Sequence, residues 1–123
     1  MPVLTAAPTQ ALHGAQFTPL ASPSLGAAET SVWRLSLAPD AVPAEHSVTR
    51  EEIFVILGGH GTATLDGEAH SLAPGETLVL PPRVRFSLQA RGPEPLEAIV
   101  CLPVGGQALM SAGGEPFTPP WAR

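Results

Sequence analysis

One cysteine, Cys101, stands in 123 residues. A lone thiol leaves no internal disulfide framework and suits a reducing compartment, so the chain reads as cytoplasmic. Basic residues are scarce too: six in all, scattered, within a net charge of -5. A nucleic-acid face needs clustered Lys and Arg, and that partner is excluded. Charged residues are only 14% of the chain, against 44% hydrophobic. So little charge predicts that a second subunit covers apolar surface, and a homodimer is expected. No apolar run reaches the ~18 residues of a membrane span. The opening stretch, MPVLTAAPTQALHGAQF, lacks a basic region followed by an unbroken apolar core and is read as no signal peptide. Ser/His/Asp order, phosphate loop and CxxC pair are all missing, which leaves nucleophilic hydrolysis and nucleotide binding without support. No helical period of useful length occurs, whereas 12 Gly and 15 Pro suit short strands and turns.

What is there is a series of such strands. IFVIL (53–57) is a continuous apolar run ended by Gly58-Gly59. GTATL (61–65) follows, and Asp66-Gly67 makes a tight hairpin turn into a shorter strand over 68–72. Pro74-Gly75 turns the chain into TLVL (77–80), which Pro81-Pro82 stops. Upstream, TSVWRLSLA (30–38) alternates, with Trp33, Leu35 and Leu37 on one face and Arg34 and Ser36 on the other. Downstream, Val84, Phe86 and Leu88 share a face opposite Arg83, Arg85 and Ser87, and PLEAIVCLPV is the last strand. The minimum expectation is strands over 32–37, 53–57, 62–65, 77–80 and 98–102. Residues 1–29 read mostly as loop, with one short strand near 15–20 that Pro19 would confine to a sheet edge. The Gly- and Pro-rich end, 105–123, reads as disordered, yet Phe117 and Trp121 predict that it docks on the barrel or across a dimer interface.

This order of strands, and the residues at the turns, resemble the cupins, small jelly-roll β-barrels with the motifs G(X)5HXH(X)3-4E(X)6G and G(X)5PXG(X)2H(X)3N. His46, Glu52 and Gly59 fall in register on the first motif, with Asp40 for the opening glycine and Val48 for the second histidine. Gly75 and Pro81 fall on the second, with Arg83 for its glycine, Phe86 for its histidine and Ala90 for its asparagine. The resemblance implies an all-β, single-domain, cupin-like jelly-roll β-barrel over residues 30–104, with an N-terminal arm (1–29) whose strand lies against a partner's sheet, and a docking tail (105–123).

In the family three His and one Glu converge on a divalent ion inside the barrel. The resemblance therefore implies that His46 and Glu52 point inward, as metal ligands for Fe, Mn, Ni or Zn or as a polar pair bonded to each other or to backbone. Val48 and Phe86 cannot ligate and make the lining apolar, which argues for no cofactor. Arg50 aims at a ligand carboxylate or pairs with Glu51 or a partner subunit. Cys101 is either an inert buried thiol or a third ligand, since the family's last strand lines the cavity. Phe86 and Trp33 are core residues, or walls for a flat apolar molecule. His13, His60 and His70 lie off the motifs and read as solvent-facing. Three functions stay open: a small-molecule-binding barrel with a degraded metal site, which is preferred; a metal-dependent oxygenase or isomerase using His46 and Glu52; and an inert sensory or interaction module.

Overall fold

The computed structural model describes residues 3–111 and 113–123. Among them the strands are β1 (Gln10–Leu12), β2 (Ala15–Ala21), β3 (Thr30–Leu37), β4 (Ser47–Val48), β5 (Glu52–Gly58), β6 (His60–Leu65), β7 (Glu68–Leu72), β8 (Thr77–Leu80), β9 (Phe86–Arg91), β10 (Leu96–Pro103) and β11 (Ala108–Leu109). One six-stranded sheet runs β1-β2-β3-β10-β5-β8, with every pair antiparallel. Facing it are the three-stranded sheet β7-β6-β9 and the pair β11-β4, linked by a bridge between His46 and Phe86. The chain crosses repeatedly from one layer to the other, which is the jelly-roll arrangement. No helix among the described residues is long and apolar enough to cross a membrane.

Two-residue alternation sets what points inward. In β3, Trp33, Leu35 and Leu37 are buried while Arg34 is exposed, as the sequence predicts. In β5, Glu52, Phe54 and Ile56 form the buried set. Glu52 is therefore carried into the interior by the phase of the strand that supplies Phe54 and Ile56 to the core. In β10 the buried set is Leu96, Ala98, Val100 and Leu102. Asp66-Gly67 makes the expected tight turn, with φ of 47° and 84°.

The segments outside the central strands depart from expectation. Residues 10–21 form a hairpin rather than mostly loop, because His13-Gly14, with φ of 50° and 84°, makes the same kind of turn as Asp66-Gly67. β2 is not an edge strand: it lies between β1 and the chain's own β3. Pro19 is tolerated because its carbonyl accepts from the amide of Ala7, so its nitrogen faces the N-terminal side and not the β3 ladder. The described residues of the tail are ordered, not disordered. Trp121 stacks on Phe17 with ring centroids 3.6 Å apart, Ser31 Oγ donates to the carbonyl of Ala122 at 2.8 Å, and Ala108 and Phe117 exchange backbone hydrogen bonds. It docks on the chain's own barrel, as Phe117 and Trp121 suggest.

Candidate functional site

A cavity of about 400 Å³ opens between the two layers. β3 contributes Trp33, Leu35 and Leu37, β5 contributes Glu52 and Phe54, and β9 contributes Phe86 and Leu88. The hairpin and the tail close the remaining sides with Phe17, Phe117 and Trp121 among others. All six aromatic residues of the chain, four Phe and two Trp, line this one cavity.

The polar groups in it are few. Glu52 is only 5% exposed, and among the described residues its carboxyl forms no hydrogen bond or ion pair. With no partner to stabilise charge, burial pushes its pKa up from 4.5 to about 8. His46 is half-buried and tilted against the Phe86 ring, centroids 4.3 Å apart. Its Nδ1 lies 3.0 Å from the carbonyl of Ala44. A carbonyl only accepts, so Nδ1 carries the hydrogen and Nε2 keeps its lone pair. Burial lowers the His46 pKa and nearby Arg85 lowers it further, against the opposing Ala44 hydrogen bond. Of the two arrangements expected for this polar pair, a bond between His46 and Glu52 is not formed, whereas the bond to backbone is made by His46 and not by Glu52.

The structure gathers His46, Glu52, Phe86 and Trp33 around the cavity and leaves Arg50 and Cys101 out of it. Arg50 is exposed and donates from Nη1 to the carbonyl of Val104 at 3.3 Å, with no Glu51 pair. Cys101 sits at an outward position of β10, between inward Val100 and Leu102, so it cannot complete a ligand set inside; partial burial raises its pKa. His60 and His70 are exposed, as expected. His13 is exposed too, but lines the cavity mouth, because the β1-β2 turn folds over it.

Arg85 is the residue that sequence reasoning passed over. Its Nη1 donates to the carbonyl of Leu109 at 3.1 Å, and its Nη2 donates to those of Glu45 and Met110, each at 3.1 Å. Its Nε lies 3.4 Å from the Glu45 carboxylate. One guanidinium thus ties the segment before β4 to the tail beside the cavity. The only hint in sequence is an arginine on the outward face of a strand next to Phe86.

The donor set does not fit a metal ion. No group of three or more His, Cys, Asp or Glu side chains is placed to share one among the described residues. Val48 and Phe86 are almost fully buried where the motifs have histidines, and both line the cavity. Two protein donors and apolar walls cannot offset the cost of stripping water from a divalent ion.

A family model described as Cupin domain matches residues 33–102, more than half of the chain. Over 53 residues the chain is 38% identical to the uncharacterised protein MJ1618 of Methanocaldococcus jannaschii, a match spanning 43% of this chain and only 42% of that protein. Among solved structures, a cupin-like protein of Thermotoga maritima superposes with a TM-score of 0.68 at 21% identity, over 82% of this chain and 80% of that one. The polyketide cyclase RemF of Streptomyces resistomycificus does so with a TM-score of 0.69 at 16% identity, over 82% and 74%. At these identities the structures share the fold. Matched by the family model along its central strands and built as a jelly roll, the chain belongs to the cupin domain family.

Proposed function

We propose that the protein is a small-molecule-binding cupin barrel whose ligand enters the aromatic-lined cavity and places a polar group against Glu52 and His46. The observation that carries this reading is the carboxyl of Glu52, which bonds to no other group among the described residues and lines a cavity of about 400 Å³. No buried side-chain oxygen or nitrogen is left without a partner among the described residues, so the Glu52 oxygens open onto the cavity, where a ligand can reach and bond to them. The volume suits a molecule at the small end of ordinary ligands. Both tryptophans, Trp33 and Trp121, line the cavity, so their emission reports entry. Cavity-sized aromatic compounds with neutral, cationic and anionic head groups are titrated against the protein. At least one gives a saturable emission change, which is lost when Leu88→Trp fills the cavity. No saturable response from any of them would overturn the reading.

The metal-dependent enzyme is the rival, and the poor donor set speaks against it. Protein purified without added metal is expected to carry well under one equivalent of Fe, Mn, Ni or Zn by elemental analysis. The double variant Val48→His plus Phe86→His raises zinc affinity, because it restores three imidazoles and one carboxylate. Near-stoichiometric metal that disappears in His46→Ala would decide for the enzyme.

The reading includes a homodimer. Its support is the outer face of the six-stranded sheet, where Val32, Cys101, Ile53 and Val79 stand directly opposite one another across four strands. Ile99 and Val55 follow in the next row, and Arg34 and Glu97 flank them, 3.6 Å apart. Two-fold pairing of this face would cover the apolar rows and let each copy's Arg34 meet the other's Glu97.

A further inference from the structure

We infer that the cavity selects an organic cation, an amine or quaternary ammonium on an apolar body, with Glu52 as its counter-ion and the aromatic side chains as its walls. This rests on the small-molecule reading above and adds the charge and class of the ligand.

Three observations converge on it. Glu52 is a buried acid with no cation beside it, and it makes no hydrogen bond among the described residues. Once this acid ionises, nothing among the described residues balances it, so the charge that the site can take up is positive. Phe17, Trp33, Phe54, Phe86, Phe117 and Trp121 all border the same space. Aromatic faces attract a cation through the ring quadrupole, more strongly where water is excluded. An alkylated ammonium suits such walls, because it is weakly hydrated and leaves little hydration behind.

The nearby positive groups do not reverse the preference. Arg85 is spent on three backbone carbonyls and the Glu45 carboxylate. Arg123 borders the cavity but is exposed at the outer end of the tail. His46 is held neutral by burial and presents a lone pair at Nε2, which accepts from a protonated amine or a hydroxyl on the ligand. An anion would meet an acidic side chain, apolar walls and a chain of net charge -5. A neutral ligand would leave Glu52 protonated, so it would gain a hydrogen bond there but no ion pair. Burial alone raises its pKa to about 8, so an entering cation has only a small penalty to overcome in ionising it near neutral pH.

The test compares two probes of one shape. (4-Hydroxyphenyl)trimethylammonium and 4-tert-butylphenol differ in a nitrogen cation against a neutral carbon. Each is titrated into the full chain at neutral pH, read by tryptophan emission excited away from the phenol band and checked by calorimetry. The cation is expected to bind at least about tenfold more tightly than its isostere. Glu52→Gln removes that preference while the neutral probe still binds. Should the variant misfold, the wild-type ratio of the two affinities alone decides. Equal or tighter binding of 4-tert-butylphenol would overturn the inference and leave the small-molecule reading standing. A preference for the cation that survives in folded Glu52→Gln would also overturn it, since the counter-ion would lie elsewhere. If neither probe nor any other cavity-sized compound binds, the small-molecule reading falls, and this inference falls with it.

Discussion

A carboxyl that keeps its proton to about pH 8 in the folded chain and releases it near 4.5 when unfolded makes stability depend on pH in an unusual direction. Between those values the folded state holds a proton that the unfolded state has lost, so stability falls as pH rises. The contribution is complete below 4.5 and gone above 8. His46 works the other way: its lowered pKa costs stability below 6.5 and costs none above it. The clean window is pH 6.5 to 8, where denaturant titrations are expected to show a loss of up to about 1.4 kcal/mol per unit from Glu52. Glu52→Gln flattens that slope; an unchanged slope would show that Glu52 does not cause it. Backbone at Gly59 gives a second residue-scale expectation. Its φ is 71°, and an added Cβ would come within 2.1 Å of the carbonyl oxygen of Pro95. Gly59→Ala should cost more than ~3 kcal/mol, while Gly67→Ala, strained in φ but facing open space, costs nearer ~1 kcal/mol. Thermal melts of the two variants separate them. The inward direction of Glu52 was legible from motif register alone, since the continuous apolar run of 53–57 carries no phase of its own. Cys101 was misplaced although the cue was available: Glu97, two pairs of positions earlier on the same strand, marks the outward face. The free carboxyl and the His46 tautomer were not legible, since both depend on which carbonyls and donors come near in space.

At the scale of elements, the central strands were readable because each is a short apolar or alternating run closed by its own Gly, Pro or Asp turn. The flanking segments were not, because what orders them is distant in sequence. Gly and Pro content pointed to a disordered tail, yet Arg85 reaches it across 24 residues and Ser31 across 91. Arg83 shows the same limit at a turn: it sits at φ 70° where the motif has glycine, and its amide bonds to the carbonyl of Val48 at 2.9 Å. Removing the tie at Arg85 tests what holds the tail. Arg85→Met takes away four contacts at once, and a charged donor to carbonyls is worth about 1.5–3 kcal/mol. The amides of Ala108 and Phe117, which pair with each other's carbonyls, should then exchange at least ~10-fold faster, because opening the tail becomes easier by more than ~1.4 kcal/mol. Arg34→Met breaks only a half-exposed ion pair with Glu97 and should change stability by less than ~1 kcal/mol. Equal protection in the Arg85 variant would show that the Phe17–Trp121 stack and the Ser31 bond suffice.

For the whole molecule, low charge suggested covered surface, and the fold supplies a face on which to look for it. Sedimentation at micromolar concentration is expected to give twice the 12.7 kDa chain mass, since an interface of standard size holds there. Ile53→Asp, in the middle of the outer apolar row, should return the 12.7 kDa species without unfolding it. A wild-type chain that sediments only as a monomer removes the dimer. The cavity has a different origin from the ladder that supports it. Half of the residues around it come from outside 33–102, from the β1-β2 hairpin and the tail. The strands that determine register can therefore stay fixed while the flanks are exchanged. Two chains with the same barrel and different flanks would accept different molecules, and a homologue that keeps every central strand could still differ in what it holds. On the small-molecule reading, the charge preference would stay with Glu52 in the central barrel while the shape of what fits would follow the flanks, so transplanting 10–21 together with 105–123 onto a related barrel should carry across the preference for shape.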